Sequence, residues 1–154
     1  NPNTVSDTKD AQSAAEALGH RLLIVNASTE REIETAFSIL VQQQAGALLV
    51  HTDPFFLSQR ERLVALTARH ALPTMYAFRD FIQAGGLMSY GASLIDGARQ
   101  VGIYTGRILK GEMPADLPVQ QPVKVELLIN LKTAQKLGLT FPITLLGRAD
   151  EVIE

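Results

Sequence analysis

Residues 85–122, GGLMSYGASLIDGARQVGIYTGRILKGEMPADLPVQQP, decide the architecture, because their parts make sense together only as a passage out of one lobe and back. A short apolar strand comes first. Gly91 then lets the chain bend, and Ser93 with Asp96 starts a helix that runs to about residue 110 and stops at Gly111. Leu94, Ala98, Val101, Thr105 and Ile108 recur at helical spacing as a core-facing stripe, while Ala98, Gly102 and Gly106 form a small-residue groove suited to close packing. The return carries Pro114, Pro118 and Pro122, which suits a semi-rigid extended crossing and excludes a central strand. Such a crossover favours a hinged binding protein over a compact enzyme.

On either side of that stretch the chain alternates. Ala11, Ala14, Ala15 and Leu18 predict a helix over residues 6–18, closed by Gly19, and RLLIV at 21–25 reads as a strand covered on both faces. Thr29 and Glu32 match a capping box before an apolar stripe of Ile33, Ala36, Phe37, Leu40 and Val41. A second buried strand is expected at 47–50. Ser58 and Glu61 suggest another capping box, with Leu63, Leu66 and Thr67 facing inward and Pro73 ending that helix before a strand at 74–78. Beyond the crossover, VKVELLI at 123–129 reads as a strand, Asn130 as the cap of a helix closing at Gly138, and 144–152 as a last short helix after Pro142.

Short apolar strands joined by amphipathic helices imply an α/β fold, a doubly wound, mostly parallel Rossmann-like sheet with helices on both faces. The pattern opens with a helix where a βαβ unit opens with a strand, so a strand before Asn1 is expected. NPNTVSD carries no initiator Met and reads as cut from something longer.

With 154 residues, 46% of them hydrophobic, the chain can bury one sizeable core. A net charge of −2 with scattered Lys and Arg gives no footprint for nucleic acid or an anionic membrane. No apolar run approaches a membrane span, and the absence of cysteine excludes disulfide and thiolate chemistry while leaving the compartment open.

In open parallel sheets ligands sit beyond the carboxyl ends of the strands, which directs attention to four segments. Asn1–Thr4 can hold a polar group with the Asn3 side chain or simply cap the first helix. In His51-Thr52-Asp53-Pro54-Phe55-Phe56, Asp53 can grip an ammonium or make a turn, and Phe55 can wall an apolar ligand or join the core. Tyr76-Ala77-Phe78-Arg79-Asp80 offers two aromatic faces and a guanidinium suited to a carboxylate, or a helix start. Ser89 and Tyr90 precede the Gly91 hinge.

Catalytic signatures are lacking. His20, His51 and His70 are not at metal-ligand spacing, and no nucleophile elbow, phosphate-binding loop or dinucleotide fingerprint follows a strand. No cofactor is expected.

The long crossover run through LKTAQKLGL at 131–139, with AGALLVHTDPFF and NASTEREIETAF upstream, resembles the C-terminal half of ABC-transporter substrate-binding proteins of the family that includes tryptophan- and tyrosine-uptake components. ILKGEMPADLPVQ is its most specific segment. The resemblance implies one incomplete lobe of a type I periplasmic-binding-protein fold. Residues 1–90 would form the C-terminal ligand-binding lobe, 91–122 the crossover helix and return packing on a missing N-terminal lobe, and 123–154 the elements that rejoin. It implies no enzyme but hinged capture of a small organic solute, an amino acid or aromatic carboxylate by preference, and delivery to a membrane permease in a periplasmic or extracytoplasmic setting. By position, Asn3, Asp53, Phe55, Tyr76, Phe78, Ser89 and Tyr90 would line the cleft. A ligand-sensing regulatory module of the same fold, or a small α/β enzyme, is the alternative. The crossover helix should then be exposed, paired with a second copy of the fragment, or collapsed onto its own sheet.

Overall fold

A computed structural model describes residues 4–120 and 124–154. After α1 (Thr4–Ala17) and an extended stretch, α2 (Glu30–Gln42) leads into β1 (Leu48–Leu49). Two helices, α3 (Pro54–Ser58) and α4 (Arg60–Arg69), carry the chain to β2 (Thr74–Tyr76), and α5 (Arg79–Gln83) carries it to β3 (Met88–Ala92). The crossover helix α6 (Leu94–Leu109) and a 3₁₀ turn at Pro114–Asp116 precede β4 (Val125–Asn130), then α7 (Leu131–Lys136), α8 (Ile143–Leu146) and β5 (Glu151–Ile153).

Sequence order is spatial order among the described strands, β1-β2-β3-β4-β5. Parallel pairing joins β1 to β2, β2 to β3 and β4 to β5, with Leu48 opposite Thr74 and Tyr76 opposite Ser89. β3 and β4 run antiparallel, from Met88 opposite Ile129 to Ala92 opposite Val125. That reversal follows from the crossover: the chain leaves from the end of β3 along α6 and comes back beside the same end, where Ser93 N–H donates to the Lys124 carbonyl at 2.9 Å. The sheet is therefore mixed α/β and mostly parallel.

The core lies between the sheet and α2, α4 and α5, around Ile33, Phe37, Leu63, Tyr76, Phe81 and Leu128. Helix α2 shows why its sequence folds. Thr29, in extended conformation, accepts the Glu32 N–H at 3.2 Å, and the Glu32 carboxylate reaches back to the Ser28 N–H at 2.7 Å and hydroxyl at 2.8 Å. These Ser28 hydrogen bonds hold the Glu32 carboxyl below its ordinary value. Ile33, Ala36, Phe37 and Leu40 are buried, each large side chain stabilising by about 1.5–3 kcal/mol. Val41 is half-exposed instead, because it sits roughly a quarter turn from the centre of that stripe.

Other expectations are corrected. Residues 21–25 form no strand: Leu22, Leu23 and Ile24 are half-exposed, and β1 pairs only with β2 among the described residues, so this run finds no ladder partner. β1 is correspondingly an edge and not a strand buried on both faces, with Leu49 60% exposed. No Ser58/Glu61 capping box forms, because Asp53 and Pro54 start a helix earlier; Ser58 ends α3 with its hydroxyl on the Phe55 carbonyl, and α4 begins after Gln59 without a side-chain cap. The expected last helix over 144–152 stops at Gly147 and gives way to β5. Asp150 drives that switch by accepting the Leu127 N–H at 2.9 Å while its own N–H donates to the Leu127 carbonyl at 2.8 Å.

Helix α6 has the expected bounds, with Ser93 accepting the Asp96 N–H at 3.3 Å, but it has no buried residue. Its stripe is not core-facing here. Leu94, Val101 and Ile108 are exposed, and nothing packs on Gly102 or Gly106, so the helix is not collapsed onto its own sheet. Pro122 and Val123 lie outside the described residues.

Candidate ligand-binding site

The carboxyl ends of β1, β2 and β3 lie side by side in the sheet, so the segments that follow them share one edge of the molecule. After β1, Asp53 is the N-cap of α3: its Oδ1 accepts the Phe55 N–H at 2.8 Å, and Pro54 sits at the first helical turn where no N–H is needed. Asp53 thus starts a helix in the structure. Phe55 is half-buried, tilted 49° against Phe56 with ring centroids 5.7 Å apart, and rests on the edge of the core.

After β2, the two aromatics part. Thr74 and Tyr76 project to the same face of a strand that alternates, Met75 to the other, and that shared face is the one covered by α4. Tyr76 is accordingly fully buried, stacked on Phe81 at 4.4 Å with its hydroxyl 3.0 Å from Thr67. Burial raises its pKa, with the Thr67 and Thr74 hydrogen bonds opposing. Tyr76 is thus part of the core in this conformation. Phe78 stays half-buried at the start of α5 and, with Arg79, Ser89, Gly91 and Ser93, lines a cavity of about 10 Å³. That space fits about one water. Ser89, 1% exposed, therefore meets no solute-sized space in this conformation, whereas its neighbour Tyr90 is 58% exposed on the opposite face of β3. Asn3 lies outside the described residues.

Gly91 has a second reason to be glycine. A Cβ there would stand 2.1 Å from the Ala77 carbonyl oxygen, so the post-β2 loop lies directly on the end of β3. Two features escaped the sequence. Arg79 is engaged by the chain's own carboxylates, Glu126 on β4 at 3.5 Å and Glu151 on β5 at 2.7 Å, while Lys124 holds Glu126 at 3.0 Å. His51 Nε2 lies 2.7 Å from Asp7 on α1. Both link positions far apart in the chain, which no local pattern encodes. Among the described residues no group of three or more His, Asp or Glu could hold a metal, and no helix is long and apolar enough to cross a membrane.

A five-stranded, mostly parallel α/β sheet with helices packed against it and an exposed α6 is the architecture of one lobe of a periplasmic binding protein. The chain belongs to the ABC transporter substrate binding protein family, whose model matches residues 1–153. Three solved structures are similar. The ABC domain from Streptococcus pneumoniae in complex with L-Trp is 26% identical with a TM-score of 0.85, over 98% of this chain and 51% of that one. A conserved domain protein from Vibrio cholerae is 24% identical with a TM-score of 0.84, over 97% and 50%. The ligand-free, open form of a substrate binding protein with adhesive properties from Clostridium difficile is 20% identical with a TM-score of 0.68, over 99% and 51%. The chain thus spans about half the length of the proteins it matches. A comparison with curated protein sequences finds no match.

Proposed function

We propose that this chain is the ligand-gripping lobe of an ABC importer's solute-binding component, which captures a small organic solute outside the cytoplasm and hands it to a membrane permease. What supports the reading is that Asp53 and Phe55 follow the carboxyl end of β1 and Phe78 that of β2, two adjacent parallel strands. Half-buried aromatic rings beside a carboxylate suit an ammonium-bearing aromatic body, so of the two expected classes an amino acid is favoured over an aromatic carboxylate. The L-Trp bound to the pneumococcal relative supports that class. Tyr76, Ser89 and Tyr90 belong to β2 and β3, the next strands along this edge. In the same proposal, the exposed face of α6 seats on a second lobe, and residues 91–93 and 124–126 act as the hinge between the two.

Thermal-shift and native mass-spectrometric screening against amino acids and aromatic acids tests this reading. A shift with aromatic amino acids, weakened by Phe55→Ala and Phe78→Ala, is the expected result. No shift with any solute, together with turnover of one, would overturn it.

A further inference from the structure

We infer that the Asp7–His51 pair fastens α1 to the sheet edge, which makes His51 a positioning residue for the candidate solute site. Helix α1 is poorly held by packing: from Ser6 to Ala17 no side chain is buried. Its 14 residues, rich in Thr, Ser, Asp and Ala, are about the length at which an isolated helix is marginal in water. Something other than an apolar stripe must therefore fix where it lies.

The geometry supplies a fastener. Asp7 stands in the first turn of α1, where the helix dipole favours a carboxylate. Its Oδ2 is 2.7 Å from His51 Nε2, the short distance of a charge-assisted hydrogen bond, and Nε2–H can donate whether the imidazole is cationic or is the Nε2-protonated neutral tautomer. His51 is itself well rooted. It follows buried Val50, whose N–H donates to the Met75 carbonyl at 2.9 Å, and it precedes Asp53 by two residues. The pair consequently joins the opening turn of α1 to the segment that bears Asp53 and Phe55. Helix α1 and the segment after β1 become one unit across 44 positions of chain.

The link to solute capture rests on the proposed function, whereas the fastening does not, and the test separates them. Hydrogen exchange of the 154-residue chain at one pH and temperature is compared for the wild type, Asp7→Ala, His51→Ala, the double variant and His51→Gln. Both partners are more than a third exposed, so the expected rise in exchange along α1 is modest, about three- to fivefold, in either alanine variant. The double variant should be no worse than either single one, and His51→Gln, which keeps an amide N–H near the place of Nε2, should retain most of the protection. Unchanged exchange along α1 in His51→Ala would overturn the inference. Equal rises in β3 and β4 would overturn it too, since the effect would then be global. A parallel titration with L-tryptophan should show apparent affinity reduced about twofold or more in the alanine variants as α1 spends less time docked. Failure of the wild type to bind L-tryptophan would count against the solute class and leave the exchange result to decide the fastening.

Discussion

Asp53 has an observed role and a proposed one that one substitution can separate. Its Oδ1 caps α3 by accepting the Phe55 N–H, and its carboxylate charge is what a solute ammonium would meet. Asparagine keeps the acceptor and loses the charge. Asp53→Asn should therefore hold stability within about 0.5 kcal/mol, while Asp53→Ala loses about 1 kcal/mol with the cap. Chemical denaturation reads both values, and equal losses would remove the cap from the explanation. Under the proposed function, both variants should weaken capture of an amino acid alike. A second residue gives a cleaner backbone test. Ala71 closes the turn after α4 with φ +48°, a conformation in which a Cβ is strained. Ala71→Gly should raise stability by about 0.5–1 kcal/mol despite glycine's greater freedom in the unfolded chain. A lower melting temperature in that variant would show that the strain is already relieved by its neighbours.

Elements were legible where their signal is local and hidden where it is shared. Thr29, Glu32 and the 33-36-37-40 spacing mark α2 within the helix itself, and Ser93, Asp96 and Gly111 do the same for α6. RLLIV at 21–25 has the composition of a strand, but a strand also needs a neighbour's N–H and C=O groups, which composition cannot supply. Tyr76 shows the same limit at the site: alternation says that it faces Thr74's side, and only the placement of α4 says that this side is the core. The Arg79 cluster belongs to this scale too, because it ties α5 to β4 and β5. Hydrogen bonding to Lys124 first, with Ser93 and the charges of Lys124 and Arg79 adding, holds the buried Glu126 carboxyl below its ordinary value against the cost of its burial. A carboxyl lowered in the folded state gives stability that is fully present above the unfolded value, near 4.3, and is lost as pH falls through the folded value. Glu126→Gln should accordingly cost about 1–3 kcal/mol at pH 7 and flatten the loss of stability below about pH 4.5. An acid limb of unchanged steepness in urea melts across that range would mean that other carboxylates carry it.

For the molecule as a whole the decisive fact is the uncovered face of α6. Ile95 is 65% exposed, Val101 68% and Leu109 83%, on a helix that ends in a well-formed stop and holds its own cap. A helix with so clear an apolar side normally buries it, and contiguous exposed apolar surface of this kind marks an interaction face. Within this chain the face contributes little, so Ile95→Lys and Val101→Lys should each change stability by less than about 0.5 kcal/mol, with lysine's helix propensity offsetting the small loss of burial. The same changes should reduce binding of an apolar dye to the chain. If the face seats on a second lobe, as proposed, they should instead destabilise the two-lobed protein by about 1–3 kcal/mol each, since a lysine ammonium would then be forced into an apolar interface. Comparing melts of the chain and of the two-lobed protein bearing identical substitutions therefore reads the interface directly. Equal, small effects in both would leave α6 without a partner and remove the crossover from the account of how this lobe works.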